Sequence, residues 1–135
     1  MKRQRFRLAA LALLAGVLLP ASIHAQACPG KGATLTGTLR VERHQHPNGS
    51  TFQPWMLQLA SPTCLMIAGL DDKTSPERIP NIRKIQLGPS SEQQTARLKG
   101  LVGQSITVRL DDVFELHTAW HVGDAVSTEF TIVRP

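Results

Sequence analysis

Aromatic side chains are scarce in this chain. Of its 135 residues none is tyrosine, four are phenylalanine and two are tryptophan. Proteins that hold single-stranded nucleic acid need stacking platforms along a positive groove, so this scarcity weighs against that class. Catalytic signatures are missing too. There is no G-x-S-x-G turn to present a serine nucleophile, no H-E-x-x-H, and no G-x-x-x-x-G-K phosphate cradle. The sequence therefore nominates no catalytic residue and reads as non-enzymatic. It contains no internal repeat and no low-complexity tract. Its uncharged apolar run, Leu8 to Leu19, falls short of the roughly 20 residues that a membrane-spanning helix requires.

What stands around that run is informative. Lys2, Arg3, Arg5 and Arg7 precede it with no acid among them, and Pro20 and the small-residue site Ala25-Gln26-Ala27 follow it. A basic start, a short apolar run and a small-residue site together make a secretory signal peptide. Residues 1–27 are read as that leader and residues 28–135 as a single exported domain, periplasmic or secreted, without a transmembrane span. The leader takes four of the fifteen basic residues and none of the ten acids, so the formal charge falls from +5 to +1. A nearly balanced domain lacks the basic stripe of a nucleic-acid binder.

Two cysteines remain, Cys28 and Cys64. In an oxidising compartment an even count favours a disulfide, and closing a loop of this length is worth about 4 kcal/mol in the chain-entropy model. The alternative is lipid attachment at Cys28. Bacterial lipid-attachment signals place leucine three residues before the cysteine, where this chain has Ala25.

The rest of the chain reads mainly as strands. TLTGTLRVE (34–42) alternates, with Leu35, Leu39 and Val41 on one face, and Gly37 on that face suggests a bulge or bend. HPNGS (46–50) carries turn chemistry. WMLQLA (55–60) turns Trp55, Leu57 and Leu59 inward, Ser61-Pro62-Thr63 breaks the strand, and CLMIAGL (64–70) reads as a strand buried on both faces. Residues 71–81 read as a surface loop, and RKIQL (83–87) as a short strand. Ser91 with Gln94 forms a capping-box pattern that opens a helix over 93–101, with Leu98 and Leu101 as its apolar stripe. SITVRL (105–110) and VSTEFTIV (126–133) are the last strands, the second with Val126, Phe130 and Ile132 on one face.

Short strands with one helix before the final pair predict a mainly β fold, a small OB-like barrel of five to six strands. The alternative is an α+β sandwich. Cys28, GTLRVE, WMLQLASPTC, KGLVGQSITVRL and the histidines before the last strand resemble a family of small exported bacterial proteins. That family is described only as a domain of unknown function with an OB-like barrel. The resemblance implies the fold and brings no activity.

Candidate functional residues gather in two connections. His44 and His46 bracket the turn after the first strand, and His117, Trp120 and His121 lie between the last two strands. In an OB-like barrel these loops flank the usual binding face. An exposed tryptophan there is hot-spot material for a partner. The chain is accordingly expected to be an exported binding module, with His44, His46, Trp120 and His121 meeting another periplasmic protein or a small ligand. One alternative is an inhibitor or immunity protein against a periplasmic toxin or cell-wall hydrolase. Another is a transition-metal site, with Zn or Cu on His44, His46, His117 and His121; no other cofactor is expected. Asp71-Asp72 and Asp111-Asp112 read as turn acids, since neighbours on a strand point to opposite faces. Asp112, which breaks the apolar parity, is expected to mark a bulge.

Overall fold

Eight strands, six of them in one sheet, and one helix make up the described residues of the computed structural model, 27–69 and 75–135. The expected leader up to residue 26, with His24, lies outside the described residues, as does the Asp71-Asp72 pair. Strand β1 (Thr34–Val41) is followed by a short hairpin, β2 (His44–Gln45) and β3 (Thr51–Phe52). Two long strands come next, β4 (Trp55–Ile67) and β5 (Glu77–Leu87), then helix α1 (Glu92–Leu101). Strands β6 (Ser105–Leu110), β7 (Ala125–Ser127) and β8 (Phe130–Arg134) complete the chain.

The main sheet runs in the order β7-β5-β4-β1-β6-β8 and curls into a half-barrel. Its neighbours are antiparallel except β5 and β7, which are parallel. The two edge strands are consecutive in the chain, with only Thr128 and Glu129 between them. One bent segment thus pairs with both ends of the sheet, which leaves little open edge to template aggregation. The fold is the mainly β, OB-like one that the strand pattern predicts, and the α+β sandwich is not formed.

The concave side holds the core. Leu39, Leu57, Ile85, Ile106, Val108 and Leu110 are fully buried there. Leu98 of α1 plugs the same cluster, with Leu101 half-buried beside it. Ser91 caps the helix by accepting the Gln94 N–H at 3.1 Å, and the Gln94 side chain reaches back to the Ser90 N–H at 2.8 Å. Gln94 and Arg97 also donate to the Phe130 and Ile132 carbonyls of β8. The helix thereby covers the edge of β8 as well as the core.

Several local expectations are corrected. Gly37 makes no bulge, because both of its ladders run in register. A Cβ there would lie 2.5 Å from the Gln58 carbonyl oxygen, so glycine permits close approach of β4. Ser61-Pro62-Thr63 does not end a strand; β4 continues through it with a register shift between Gln58 and Thr63. The far half of β4 buries Leu65 and Ile67 but leaves Met66 half-buried and Ala68 exposed, so it is one-sided. Residues 77–81 are not loop but the start of β5, paired with that far half. Pro80 and Asn81 disguise them by sitting at a second shift, Asn81 with φ +60°. Val41, at the end of β1, is exposed rather than inward.

The final strand is the most instructive correction. It breaks into β7 and β8, and the break reverses the faces: Ala125 enters the core before it, Phe130 and Ile132 after it. Val126 is buried but sits on the convex side, outside that cluster. Asp112 sets this corner. Its carboxylate accepts from the Ser127 and Thr128 hydroxyls and from the Thr128 and Glu129 N–H groups, at 2.8 to 3.0 Å. The N–H groups of Asp111 and Asp112 both donate to the Glu129 carbonyl, two residues opposite one, the mark of a β-bulge.

Cys28 and Cys64 form a disulfide. It joins the chain's entry to the far half of β4, where the Met66 N–H also donates to the Pro29 carbonyl. Among the described residues no helix is long and apolar enough to cross a membrane.

Candidate binding surface on the two loops

Strands β4 and β5 have an outer face as well as an inner one. Met56 pairs with Gln86, and Gln86 with Val126 of β7, so these three side chains share the convex side by strand alternation. Met56 and Val126 are nonetheless 0% and 1% exposed. On this side the 114–123 connection bonds to Gln86 and pairs with Val126, the β2–β3 hairpin meets it through His46 and Trp120, and together the two segments form a roof.

The hairpin is ordered by its own turn. His46 N–H donates to the Ser50 carbonyl, and the Asn48 carboxamide oxygen accepts from the Ser50 N–H and hydroxyl. The Asn48 N–H donates to His46 Nδ1 at 3.2 Å. The other roof half is tethered by Gln86. Its amide donates to the Trp120 carbonyl at 2.9 Å and its oxygen accepts from the Val122 N–H at 2.8 Å. Phe114 bridges to Val126 and Ala68. Gly123 lets the connection pass close over β5, for a Cβ there would lie 2.9 Å from the Gln86 nitrogen. Asp124 then seals the return, its carboxylate accepting from the Arg83 and Lys84 N–H groups.

Where the two halves meet, rings stack. His46 lies on Trp120 with centroids 3.9 Å apart and planes 21° from parallel, and Phe52 meets Trp120 edge-on at 5.0 Å. His44 tilts against Phe52 at 5.9 Å. Trp120 remains 44% exposed, a solvent-facing ring backed by two others. Beside it, His117 and His121 meet edge to face at 4.5 Å, and both lean on Phe114. The His117 N–H donates to His121 Nδ1 at 3.4 Å. Burial, followed by the neighbouring His117 ring, holds His121 below the ordinary histidine range.

The expected convergence of the two loops is therefore real, but it makes two ring pairs rather than one cluster of four imidazoles. His46 belongs with Trp120, and His117 with His121. His44 is directed elsewhere, to Glu42 at 2.9 Å, and Glu42 also accepts from Lys84 at 2.8 Å. The Lys84 hydrogen bond, ahead of that from His44, lowers the Glu42 carboxyl below its usual value. Among the described residues no three His, Cys, Asp or Glu side chains are grouped so as to hold a metal ion. Asp111 likewise turns away from Asp112 to Arg109, at 2.8 Å.

Sequence reasoning missed Gln86, Phe52 and Phe114. Gln86 carried no signal beyond its outward parity in a strand, and the rings matter only because the loops fold back. A cleft of about 620 Å³ lies elsewhere, beside the disulfide, lined by Pro29, Leu35, Pro62 and Arg78 among others. The ring surface is the stronger candidate because it joins exposure to an ordered arrangement of chemically distinctive groups. No family model matches the chain, and neither a curated protein nor a solved structure is significantly similar to it.

Proposed function

We propose that this is an exported, non-enzymatic binding module whose recognition surface is the roof formed by the β2–β3 hairpin and the 114–123 connection. The observation that carries the reading is Trp120, exposed yet held by His46, Phe52 and the Gln86 tether. A large apolar ring left in water but fixed in place has lost its freedom before binding, so little ordering cost remains. The position supports the reading as well, since loops that flank the outer face of an OB-like barrel are its usual binding elements. The resemblance to small exported bacterial domains and the disulfide, compatible with an oxidising compartment, both favour the periplasm.

A photoreactive phenylalanine analogue in place of Leu116 tests the surface, with the same analogue in place of Val102 as control. These residues are 40% and 45% exposed, so exposure alone does not separate them. Irradiation in cells should give a discrete adduct at Leu116 and none at Val102. Equal labelling at both, or none at either, refutes the surface. Intact mass should show cleavage before Cys28 and the loss of two hydrogens; a diacylglyceryl adduct there would place the protein on a membrane. A second reading, an inhibitor or immunity protein against a periplasmic toxin or wall hydrolase, draws support from the same preordered hairpin. Its adduct at Leu116 would be an enzyme.

A further inference from the structure

Resting on that reading, we infer that the ligand of the Trp120 surface is an uncharged saccharide. Three imidazoles around the tryptophan have their tautomers set by backbone partners, because a carbonyl only accepts and an N–H only donates. The His117 Nδ1 lies 3.2 Å from the Glu115 carbonyl, so it carries the hydrogen and Nε2 is left as an acceptor. His46 and His121 each receive a backbone N–H at Nδ1, so Nε2 carries the hydrogen in both and is left as a donor. None of these three Nε2 atoms has a protein partner among the described residues. The surface thus offers an exposed aromatic ring with one face stacked on His46, in loops that carry two histidine Nε2 donors and one acceptor.

That combination matches a sugar ring. Its hydroxyls both donate and accept, and its C–H face carries the slight positive charge that suits the negative face of an aromatic system. Two other classes fit less well. A protein interface needs a contiguous apolar centre within a polar rim, but the other exposed large apolar residues are dispersed: Val41, Val102 and Val133 are on β1, beyond α1 and on β8, and only Leu116 shares the loop. A nucleic acid needs free cations for its phosphates. Here residues 28–135 carry eleven basic against ten acidic side chains, and Lys84 of β5 is held by Glu42, which His44 also engages.

The test is a nitrogen-edited NMR titration of the exported protein with neutral oligosaccharides, chitotetraose and maltotetraose first and then a panel of uncharged cell-wall glycan fragments. The indole N–H of Trp120 should shift saturably while that of Trp55 stays fixed. Trp120→Ala should weaken binding at least about tenfold. His46→Phe, which keeps a ring beneath Trp120 but removes the Nε2 donor together with the Nδ1 acceptor of the Asn48 N–H, should weaken it several-fold, with spectral changes confined to the hairpin turn. Absence of any Trp120 response to the whole panel at millimolar concentration overturns the saccharide assignment. So does a response to a DNA oligonucleotide or a proline-rich peptide with none to sugars, and in that case the binding surface itself survives. Loss of the Leu116 adduct described above strikes the surface instead, so the two failures are distinguishable.

Discussion

Met56 and Leu57 are neighbours on one strand, and both are completely buried, yet they are buried by different means. Leu57 points into the concave side, against side chains from strands and helix that belong to one continuous cluster. Met56 points out of the barrel and is covered by two loops that meet above it. The inner face is closed by regular structure, whose backbone groups are satisfied by the ladders. The outer face is closed by a few specific bonds, chiefly the two made by Gln86. An inner core of this kind resists collapse around a deletion, whereas a loop roof can settle. The difference also separates stability from recognition: the residues that a ligand would meet belong to the roof.

Alanine substitutions on the two faces break or sharpen this contrast most directly. Leu57→Ala should destabilise the domain by about 4 kcal/mol, within the range for buried leucines that leave a cavity. Met56→Ala should cost about 2 kcal/mol, near the low end, because the hairpin and the connection can move inward. Urea denaturation of both variants measures the difference. Equal losses would mean that the roof is as rigid as the core.

The next effect belongs to Asp112. Asp112→Ala removes one acceptor from four donors, including the hydroxyl of the fully buried Ser127. The expected loss is about 2 kcal/mol, since hydrogen bonds to a charged group exceed the ordinary value, while the Ser127 hydroxyl keeps the Glu129 carbonyl as a second acceptor. Amide exchange should quicken at β7 and β8 together, because the corner joins them. A loss under about 1 kcal/mol would show that the backbone bulge holds the corner without the carboxylate.

Gln86→Met tests the tether alone. It keeps the side-chain length and forfeits the bonds to Trp120 and Val122, for an expected cost of about 1.5 kcal/mol. Hydrogen exchange should rise across residues 114–123 while Leu57 and its neighbours stay protected. Uniform loss of protection through the sheet would contradict a roof that opens on its own.

The same contrast explains what the sequence disclosed. Concave-side positions repeat every two residues, so Leu35, Leu39, Ile106, Val108 and Leu110 announce their strands, and Ser91 with Gln94 announces the helix. The candidate loops were legible from His46, Trp120 and the turn residues around Asn48. What escaped depends on contacts distant in sequence. Met56 and Val126 look like ordinary alternation breaks until a loop covers them, and Gln86 looks like solvent-facing polarity. The start of β5 was hidden by Pro80 and Asn81, which signal a loop locally but sit at a register shift inside a long ladder. The flip of faces between Val126 and Phe130 could not be read from parity, because the acceptor that creates it, Asp112, lies 14 residues before Val126.

The smallest expected effect is a pH dependence confined to the roof. In the folded protein His121 sits below its ordinary value of 6.5, chiefly through burial and then through His117. The unfolded chain therefore takes up this proton first as pH falls. The contribution is full above 6.5 and is lost as pH drops from there through the lowered folded value, so stability rises with pH across that window. Protonation at Nδ1 would also forbid the bond from the His117 N–H, which concentrates the loss in the connection. Glu42 does not confuse the reading. Its folded value is lowered from 4.5, so its stabilisation is present above 4.5 and fades only in more acidic solution, as pH falls through that lowered value. Comparing urea midpoints of the wild type and His121→Gln between pH 7.5 and 5, a span of ~2.5 units around the histidine range, isolates the effect. Glutamine can still accept from the His117 N–H but does not titrate. The wild type should weaken by a fraction of about 1 kcal/mol more than the variant on acidification, with exchange quickening in 114–123 before the sheet. Parallel pH profiles for the two proteins would remove His121 from the roof's energetics.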